Sequence, residues 1–149
     1  MPRREITDIE EIEGIINRAV VCHLGLMDEK EPYVIPINFG YERNVLYFHG
    51  NLKGRKVDLI KKNNLVCFGM EVDLELKKAE QPCDWAMKYK SVIGVGKASI
   101  LQNDEQKVHA LNLITERYAG IVPSFPNEKL EKTLVVKIDI ESMTGKQLV

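Results

Sequence analysis

The chain has 149 residues, of which 44% are apolar and 29% charged, values typical of a soluble globular protein with one core. Its net charge of −1 gives no overall field that favours nucleic acid or an anionic membrane. No apolar run approaches the ~20 residues that span a bilayer, and the N-terminus lacks the apolar segment of a signal peptide. We therefore expect a single cytoplasmic domain over residues 1–149 that binds neither nucleic acid nor membrane.

The three cysteines, Cys22, Cys67 and Cys83, are expected to be free thiols. Their number is odd and no two of them have C-x-x-C spacing, which argues against a disulfide framework and against a zinc site. This pattern agrees with a reducing cytoplasm, and we expect no metal.

The chain is predicted to begin with a helix and a strand. Four isoleucines recur at helical spacing through about Ala19 and would form one apolar face: Ile9, Ile12, Ile15 and Ile16. Thr7 or Asp8 is a suitable N-cap for this helix. Residues 20–27 then have the composition of a strand.

Residues 33–49 are predicted to form a β-hairpin, and residues 55–62 a short helix. The two strands of the hairpin, 33–41 and 45–49, are joined by the polar turn Glu42-Arg43-Asn44. A hairpin has no crossover helix, so this pair favours an antiparallel architecture over an alternating β/α sheet.

The second half of the chain adds four main predicted elements: strand 65–76, strand 89–101, helix 103–119 and strand 133–140. Gly94 and Gly96 in the second of these strands indicate a bulge, a bend or a close approach of two backbones. About six strands with three or four peripheral helices predict an α+β fold built on a six-stranded antiparallel β-barrel.

Residues 49–56 form a candidate anion site. Lys53, Arg55 and Lys56 lie at the start of a predicted helix, where free N–H groups and the positive end of the helix dipole also attract anions. Arg55 is suited to a bidentate contact, and the two lysines to contacts as point charges. A solvated basic face explains the same residues equally well, but a phosphorylated cofactor lying along the barrel is the leading hypothesis.

Pro36, in the apolar run Ile35-Pro36-Ile37-Asn38, marks an edge strand or a bulge, because proline forfeits a ladder hydrogen bond. Unpaired backbone groups beside it are able to meet the edge of a planar heterocycle. A simple edge strand without a ligand is the alternative.

Several aromatic and histidine side chains are further candidates. His49 ends a predicted strand beside the basic segment, where it is able to contact phosphate or donate a proton, unless it is only structural or exposed. His23 has a similar position on a neighbouring strand, whereas His109 lies in a helix without catalytic context. Trp85 and Tyr89 are suited to covering a flat ligand, although core or dimer packing explains them as well.

Three runs occur in a characteristic order: P-Y-V-I-P-I-N-F-G-Y, L-Y-F-H-G and G-R-K-V-D-L-I-K-K-N. With the later Y-K-S-V-I-G-V-G-K-A and T-G-K-Q, they resemble the flavin-binding split-barrel family related to pyridoxamine 5′-phosphate oxidase, and most of all its nitroimidazole-resistance group. The resemblance spans nearly the whole chain. It implies an FMN-binding split β-barrel and a homodimer with two flavin sites at the subunit interface.

The resemblance also implies roles for individual residues. They fall into three groups: Pro36, Ile37 and Asn38 along the flavin ring, mainly through backbone; His49, Lys53, Arg55 and Lys56 around the phosphate; and Trp85, Tyr89, Ser91 and Val92 approaching from the partner subunit. His49 also matches the histidine near the substrate side in the nitroimidazole-resistance group, so phosphate ligand and catalytic proton donor are both open to it. Related split barrels bind haem or deazaflavin, so these cofactors are alternatives to FMN.

Two functions are compatible with these features. The first is an FMN-dependent oxidoreductase, in which an external donor reduces the flavin and the flavin reduces a small organic acceptor such as a nitroaromatic. No nicotinamide-binding motif is visible in the sequence, so the electron donor is open. The second is a flavin or haem carrier or sensor without turnover; a structural dimer with an empty site is a third possibility.

Overall fold

The computed structural model describes residues 2–120 and 124–148, and within them it contains eight strands and four α-helices. In chain order the elements are β1 (Arg3–Ile6), α1 (Ile9–Arg18), β2 (Cys22–Leu26), β3 (Tyr33–Ile37), β4 (Gly40–Glu42), β5 (Val45–Asn51), α2 (Arg55–Lys62), β6 (Leu65–Lys77), β7 (Ala86–Ile100), α3 (Asp104–Ala119), α4 (Asn127–Glu131) and β8 (Thr133–Leu148). A single 3-10 turn at Pro82–Asp84 precedes β7. None of the helices in these two ranges is both long and apolar enough to cross a membrane.

All strand pairs are antiparallel, and the strands form one sheet in the order β3-β2-β6-β7-β8-β5-β4, with β1 added along β8. The sheet is not closed, because β3 and β4 lie at its two ends. This architecture confirms the predicted α+β split-barrel type. Eight strands are present rather than the expected six, because β1 and β4 are too short to show an alternating pattern in the sequence.

The predicted pairing of residues 33–41 with 45–49 is wrong for residues 33–37 and confirmed for Gly40 and Tyr41. β3 pairs with β2, and only β4 forms a hairpin with β5, across Arg43 and Asn44 at φ 47° and 69°. The chain leaves the sheet after β3 because Phe39 is fully buried, and its N–H donates to the Tyr118 hydroxyl at 3.2 Å instead of to a strand.

The predicted helix starts are confirmed. Asp8 caps α1 by accepting from the Glu11 N–H at 3.1 Å, and Asn103 caps α3 in the same way. α2 has the predicted bounds. Its N-cap is Gly54, which makes no side-chain hydrogen bond to the first turn of the helix. α1 and α2 bury their apolar faces against the main core, but Ile9, which was predicted to belong to the face of α1, is 49% exposed.

The main core lies inside the curved sheet and is built on three fully buried phenylalanines, Phe39, Phe48 and Phe68, with aliphatic side chains around them. A smaller cluster lies on the other face of the sheet, where α3 and α4 cover part of β8. α4 was not predicted from the sequence. The remaining outer face of the sheet is left without a covering helix in the part of the chain that the structure describes.

The glycines of β7 meet close neighbours, as predicted. A Cβ atom on Gly94 would lie 2.3 Å from Phe68 Cζ and 2.9 Å from the Ser142 carbonyl oxygen. The register of β7 and β8 shifts between Val95 and Gly96, so that β8 carries one extra residue there.

Gly94→Ala is therefore expected to lower the free energy of unfolding by about 1–3 kcal/mol, because the added methyl group overpacks the core against Phe68. Gly14→Ala is the matched control, since nothing lies within 4 Å of its added Cβ in the interior of α1. That variant is expected to raise the free energy of unfolding by about 0.5–1 kcal/mol. Urea unfolding monitored by circular dichroism measures both changes, and equal effects at the two positions would contradict the packing assigned to Gly94.

Candidate functional site

An open groove of about 810 Å³ runs over the outer face of the sheet across β3, β2, β6 and β7. Its floor contains two neighbouring cross-strand rows. The first row is Val34, Gly25, Cys67 and Val95; the second is His23, Gly69 and Ile93, and Pro36 lies opposite His23 just outside the groove lining. Side chains alternate between the two faces of a strand, so these rows face outward while the residues between them face the core.

Of the two glycines on this floor, Gly69 leaves an open hollow, whereas the space beside Gly25 is filled. A Cβ atom on Gly25 would lie 2.4 Å from Cys67 Sγ, so the thiol occupies the space beside the bare backbone. Gly69 has only the Val92 carbonyl oxygen nearby, at 3.9 Å from such an atom. Val34, at one end of the first row, and Ile93, at one end of the second, have exposed apolar side chains. A flat apolar ligand is thus able to approach the backbone at the middle of the groove.

One end of the groove is polar. His23 Nε2 lies 3.2 Å from Glu71 Oε1, and Glu71 is opposite Ser91 in the register of β6 and β7. Ser91 and Pro36, which the sequence assigned to different parts of the site, therefore lie on the same sheet face, separated by β2 and β6. Glu71 is a neighbour of the site that sequence reasoning missed.

The other end of the groove contacts the start of α2. Arg55 Nη2 donates to Asp28 Oδ2 at 3.0 Å and to Glu31 Oε1 at 3.1 Å, and the guanidinium carbon lies 4.0 Å from the centre of the Tyr33 ring. All three partners line the groove. The Lys30 N–H and the Arg55 guanidinium hold the pKa of Asp28 below its usual range.

Lys56 lies against β5. A Cβ atom on Gly50 would be 3.2 Å from Lys56 Nζ, which also lies 6.0 Å from the centre of the Phe48 ring. Partial burial lowers the pKa of His49, and the positive charge of Lys56 lowers it further. His49 and Lys56 are thus neighbours, but neither lines the groove.

Comparison with known proteins decides the family. The family model for pyridoxamine 5′-phosphate oxidase matches residues 8–147. The chain belongs to the pyridoxamine 5′-phosphate oxidase family. No curated protein gives a significant match to the sequence.

Solved structures agree with this family. A candidate 5-nitroimidazole antibiotic resistance protein from Bacteroides thetaiotaomicron is 33% identical, with a TM-score of 0.87 over 99% of this chain and 89% of that one. An FAD- and haem-binding protein from Mycobacterium smegmatis has 17% identity and a TM-score of 0.85 over 96% and 72% of the two chains. A flavocytochrome from Azotobacter vinelandii has 21% identity and a TM-score of 0.83 over 97% and 69%. The last two likenesses show the fold alone.

Within this member of the pyridoxamine 5′-phosphate oxidase family, the predicted ring-lining residues lie along the edge strand β3. Pro36 is exposed and opposite His23, which confirms the edge position predicted for this proline. Ile37 is buried, so it is able to face a ligand only through its backbone, whereas Asn38 is exposed just beyond the strand.

The residues predicted to approach from a partner have mixed accessibility. Trp85 is 42% exposed and its Nε1–H donates to the Ala79 carbonyl oxygen at 2.9 Å. Tyr89 and Ser91 are half-buried on β7, but Val92 is fully buried in the core. Its side chain is not accessible to a ligand, which leaves only its backbone for such a role.

The predicted phosphate residues are close in sequence but not gathered at one point. Arg55 contacts the β2–β3 turn, Lys56 contacts β5, and Lys53 is exposed in the turn before α2 and makes no ion pair among the described residues. Sequence reasoning missed Asp28 and Glu31, because a polar turn carries no signal for a contact with a helix more than 20 residues later.

Lys56→Gln is expected to raise the pKa of His49 part of the way to its ordinary value, since burial, the larger cause, remains. Lys53→Gln, which removes a nearby exposed charge, is the control and is expected to leave the pKa unchanged. NMR titration of the His49 Cε1 proton measures both. A pKa that does not respond to Lys56→Gln would show that the ammonium group is not close to the imidazole.

The same pKa has a consequence for stability. Because folding lowers the pKa of His49, the unfolded chain binds more protons at this residue between the folded pKa and the ordinary value of 6.5. The contribution of His49 to stability is thus present above pH 6.5 and is lost as the pH falls through the folded pKa. Lys56→Gln is expected to raise the folded-state pKa of His49 toward 6.5, so the pH range over which this contribution is lost becomes narrower.

Proposed function

We propose that the protein is an FMN-dependent oxidoreductase that acts as a homodimer and reduces a small organic acceptor, with nitroaromatics such as 5-nitroimidazoles as the leading class. The observation that carries this proposal is one groove that combines a flat, glycine-containing apolar floor with a cation, Arg55, that contacts three residues of its lining. The names of the related proteins support it, since they include a flavocytochrome, an FAD- and haem-binding protein and a candidate 5-nitroimidazole resistance protein. When bound, the flavin supplies the redox chemistry, and the chain supplies binding, orientation and charge.

The residues present fit a flavin. Gly69 leaves room for a planar ring system against the backbone of β6, and beside Gly25 the ring would meet the Cys67 thiol. β3 has a partner strand on one side only, so the backbone beside Pro36 is available to the polar edge of the ring. We assign Ile37 and Asn38 to the same edge, through the backbone of the first and the exposed position of the second.

The phosphate is assigned to the start of α2. Lys53, Arg55 and Lys56 bring three cations to this end of the molecule, and α2 adds the free N–H groups of its first turn. His49 is the neighbour of Lys56 and is open to two roles, as a phosphate ligand or as the catalytic proton donor to the acceptor. Its lowered pKa keeps it mostly neutral at neutral pH, when it is able to accept a hydrogen bond as well as donate one.

Exposed apolar side chains support the homodimer. Leu76 on β6 lies opposite Met87 on β7, and both are exposed, together with Leu74 and Trp85. With Ile93 and Val95 they extend the apolar outer face along β7 beyond the groove. Such a face is typical of a protein–protein interface. We assign Trp85, Tyr89, Ser91 and Val92 to the approach of one protomer to the flavin of the other.

A flavin or haem carrier without turnover is the second candidate function. The open form of the groove favours it, because no element among residues 2–120 and 124–148 covers a ligand from the solvent side. The names of the two haem-containing relatives support the haem version. Optical spectra separate these possibilities, since flavin and haem have different absorption bands.

FMN is expected to bind far more tightly than riboflavin, which lacks the phosphate. Arg55→Ala is expected to weaken FMN binding by about tenfold, the lower end for a lost charged hydrogen bond, and to leave riboflavin binding nearly unchanged. Quenching of flavin fluorescence on titration with protein measures all four affinities. Equal binding of FMN and riboflavin by the wild type would remove the phosphate assignment.

The same FMN-loaded sample separates the enzyme from the carrier. Bleaching of the flavin bands by NADH or NADPH, followed by recovery when a nitroimidazole is added, is expected of the oxidoreductase. A loaded protein whose bands respond to neither reductant nor acceptor would favour the carrier.

Leu76→Lys together with Met87→Lys is expected to shift the protein from dimer to monomer, because two charges would be placed on the proposed interface. Ile9→Lys is the control, since Ile9 is also an exposed apolar residue but lies at the start of α1. Sedimentation velocity at micromolar concentration measures the oligomeric state. A wild type that is a flavin-loaded monomer would contradict the interface.

A further inference from the structure

We propose that Asp28 and Glu31 determine how strongly the groove distinguishes a phosphorylated ligand from an unphosphorylated one, by competing with the phosphate for Arg55. This inference rests on the proposed function and adds two residues to its site. The Arg55 cluster, meaning Asp28, Glu31 and Arg55, is the structure that carries it.

Both carboxylates use the same nitrogen of the guanidinium. Arg55 Nη2 is 3.0 Å from Asp28 Oδ2 and 3.1 Å from Glu31 Oε1, and the ring of Tyr33 lies 4.0 Å from the guanidinium carbon. The Asp28 side chain is only 20% exposed, and it also accepts from the Lys30 N–H at 3.1 Å. The turn is thus arranged to present its carboxylates to α2, and Arg55 is held against the rim of the groove.

The local charges oppose a phosphate at this position. The turn between β2 and β3 carries the three carboxylates of Asp28, Glu29 and Glu31, against the cations of Lys30 and Arg55. A phosphate with close to two negative charges is repelled by these carboxylates when it contacts the same guanidinium. The phosphate therefore gains the full attraction of Arg55 only when Arg55 leaves its carboxylate partners.

The flavin ring and the phosphate then depend on different residues. The ring is assigned to the floor around Gly69, which the Arg55 cluster does not change. The phosphate contact includes the cost of breaking two ion pairs. Removing these pairs is expected to strengthen the binding of FMN and to leave the binding of riboflavin as it was.

The test is the double variant Asp28→Asn with Glu31→Gln, titrated with FMN and with riboflavin by fluorescence quenching. FMN affinity is expected to rise by about three- to thirtyfold, the range for two exposed ion pairs, with riboflavin affinity unchanged. Glu31→Gln alone, at a side chain that is 66% exposed, is expected to give a smaller gain in the same direction and serves if the double variant does not fold. Circular dichroism checks the fold of each variant.

Two controls separate the Arg55 cluster from a general change of charge. Glu29→Gln removes a charge from the same turn, but Glu29 forms no ion pair within the described part of the chain, so its effect on FMN affinity is expected to be smaller. In the Arg55→Ala background the gain from the double variant is expected to disappear, because the carboxylates no longer have a guanidinium to release.

Each outcome decides the proposal. A gain for FMN alone that requires Arg55 supports it. An unchanged or weakened FMN affinity, an equal gain for riboflavin, an equal effect of Glu29→Gln, or a gain that persists without Arg55 overturns it. If the wild type prefers FMN to riboflavin while the variant equals the wild type, only this inference fails. If neither protein binds FMN, the proposed function fails with it.

Discussion

The antiparallel pairing of β7 with both β6 and β8 is the constraint on which the rest of the structure depends. These strands have 13, 15 and 16 residues and form the centre of the sheet. Because side chains alternate with a period of two, a slip of one residue would turn Cys67 and Ile93 into the core and Phe68 out of it. The register therefore defines the core and the groove at the same time. Bulges absorb the extra residues, one of them near Asp73 at a φ of 56°.

Glycine serves two opposite purposes on the two faces of this sheet. Gly94 faces inward, where the absence of a side chain leaves space for the ring of Phe68. Gly69 faces outward, where the same absence leaves a hollow between exposed side chains. Core packing thus explains the glycine at position 94. The proposed ligand explains the glycine at position 69, since an empty hollow on the surface contributes nothing to the core.

Electrostatics divide the segment at the start of α2 into two parts. Arg55 has two carboxylate partners and an aromatic ring, so its charge is largely compensated. Lys56 has no carboxylate partner among the described residues, and its charge lowers the pKa of the neighbouring His49. In the proposed function, the charge of Lys56 is available to an anion at once, whereas Arg55 is available only after its partners are displaced. Two adjacent residues of one helix therefore contribute differently to binding.

The sequence by itself determined α1, α2 and α3, most of the strands, the α+β class and the family. Local patterns were sufficient for these. Each cap, at Asp8 or Asn103, contacts an N–H group three residues later, and the apolar residues of α1 and of α2 recur at helical spacing. The missing ladder hydrogen bond of proline also placed Pro36 on an edge strand or at a bulge. The sequence also identifies which residues are candidates for the site, but the roles of these residues are still predictions.

Only the tertiary structure decided which strands pair and which groups face one another. The partner of β3 is β2 and not β5, because Phe39 leaves the sheet to enter the core, an event that no local pattern marks. The contacts of Arg55 with Asp28 and Glu31, and of His23 with Glu71, join residues that are 24 to 48 positions apart. Val92 was assigned to the site by its motif, but its side chain belongs to the core. Such contacts depend on the register and curvature of the whole sheet, and a pattern read along the chain contains neither.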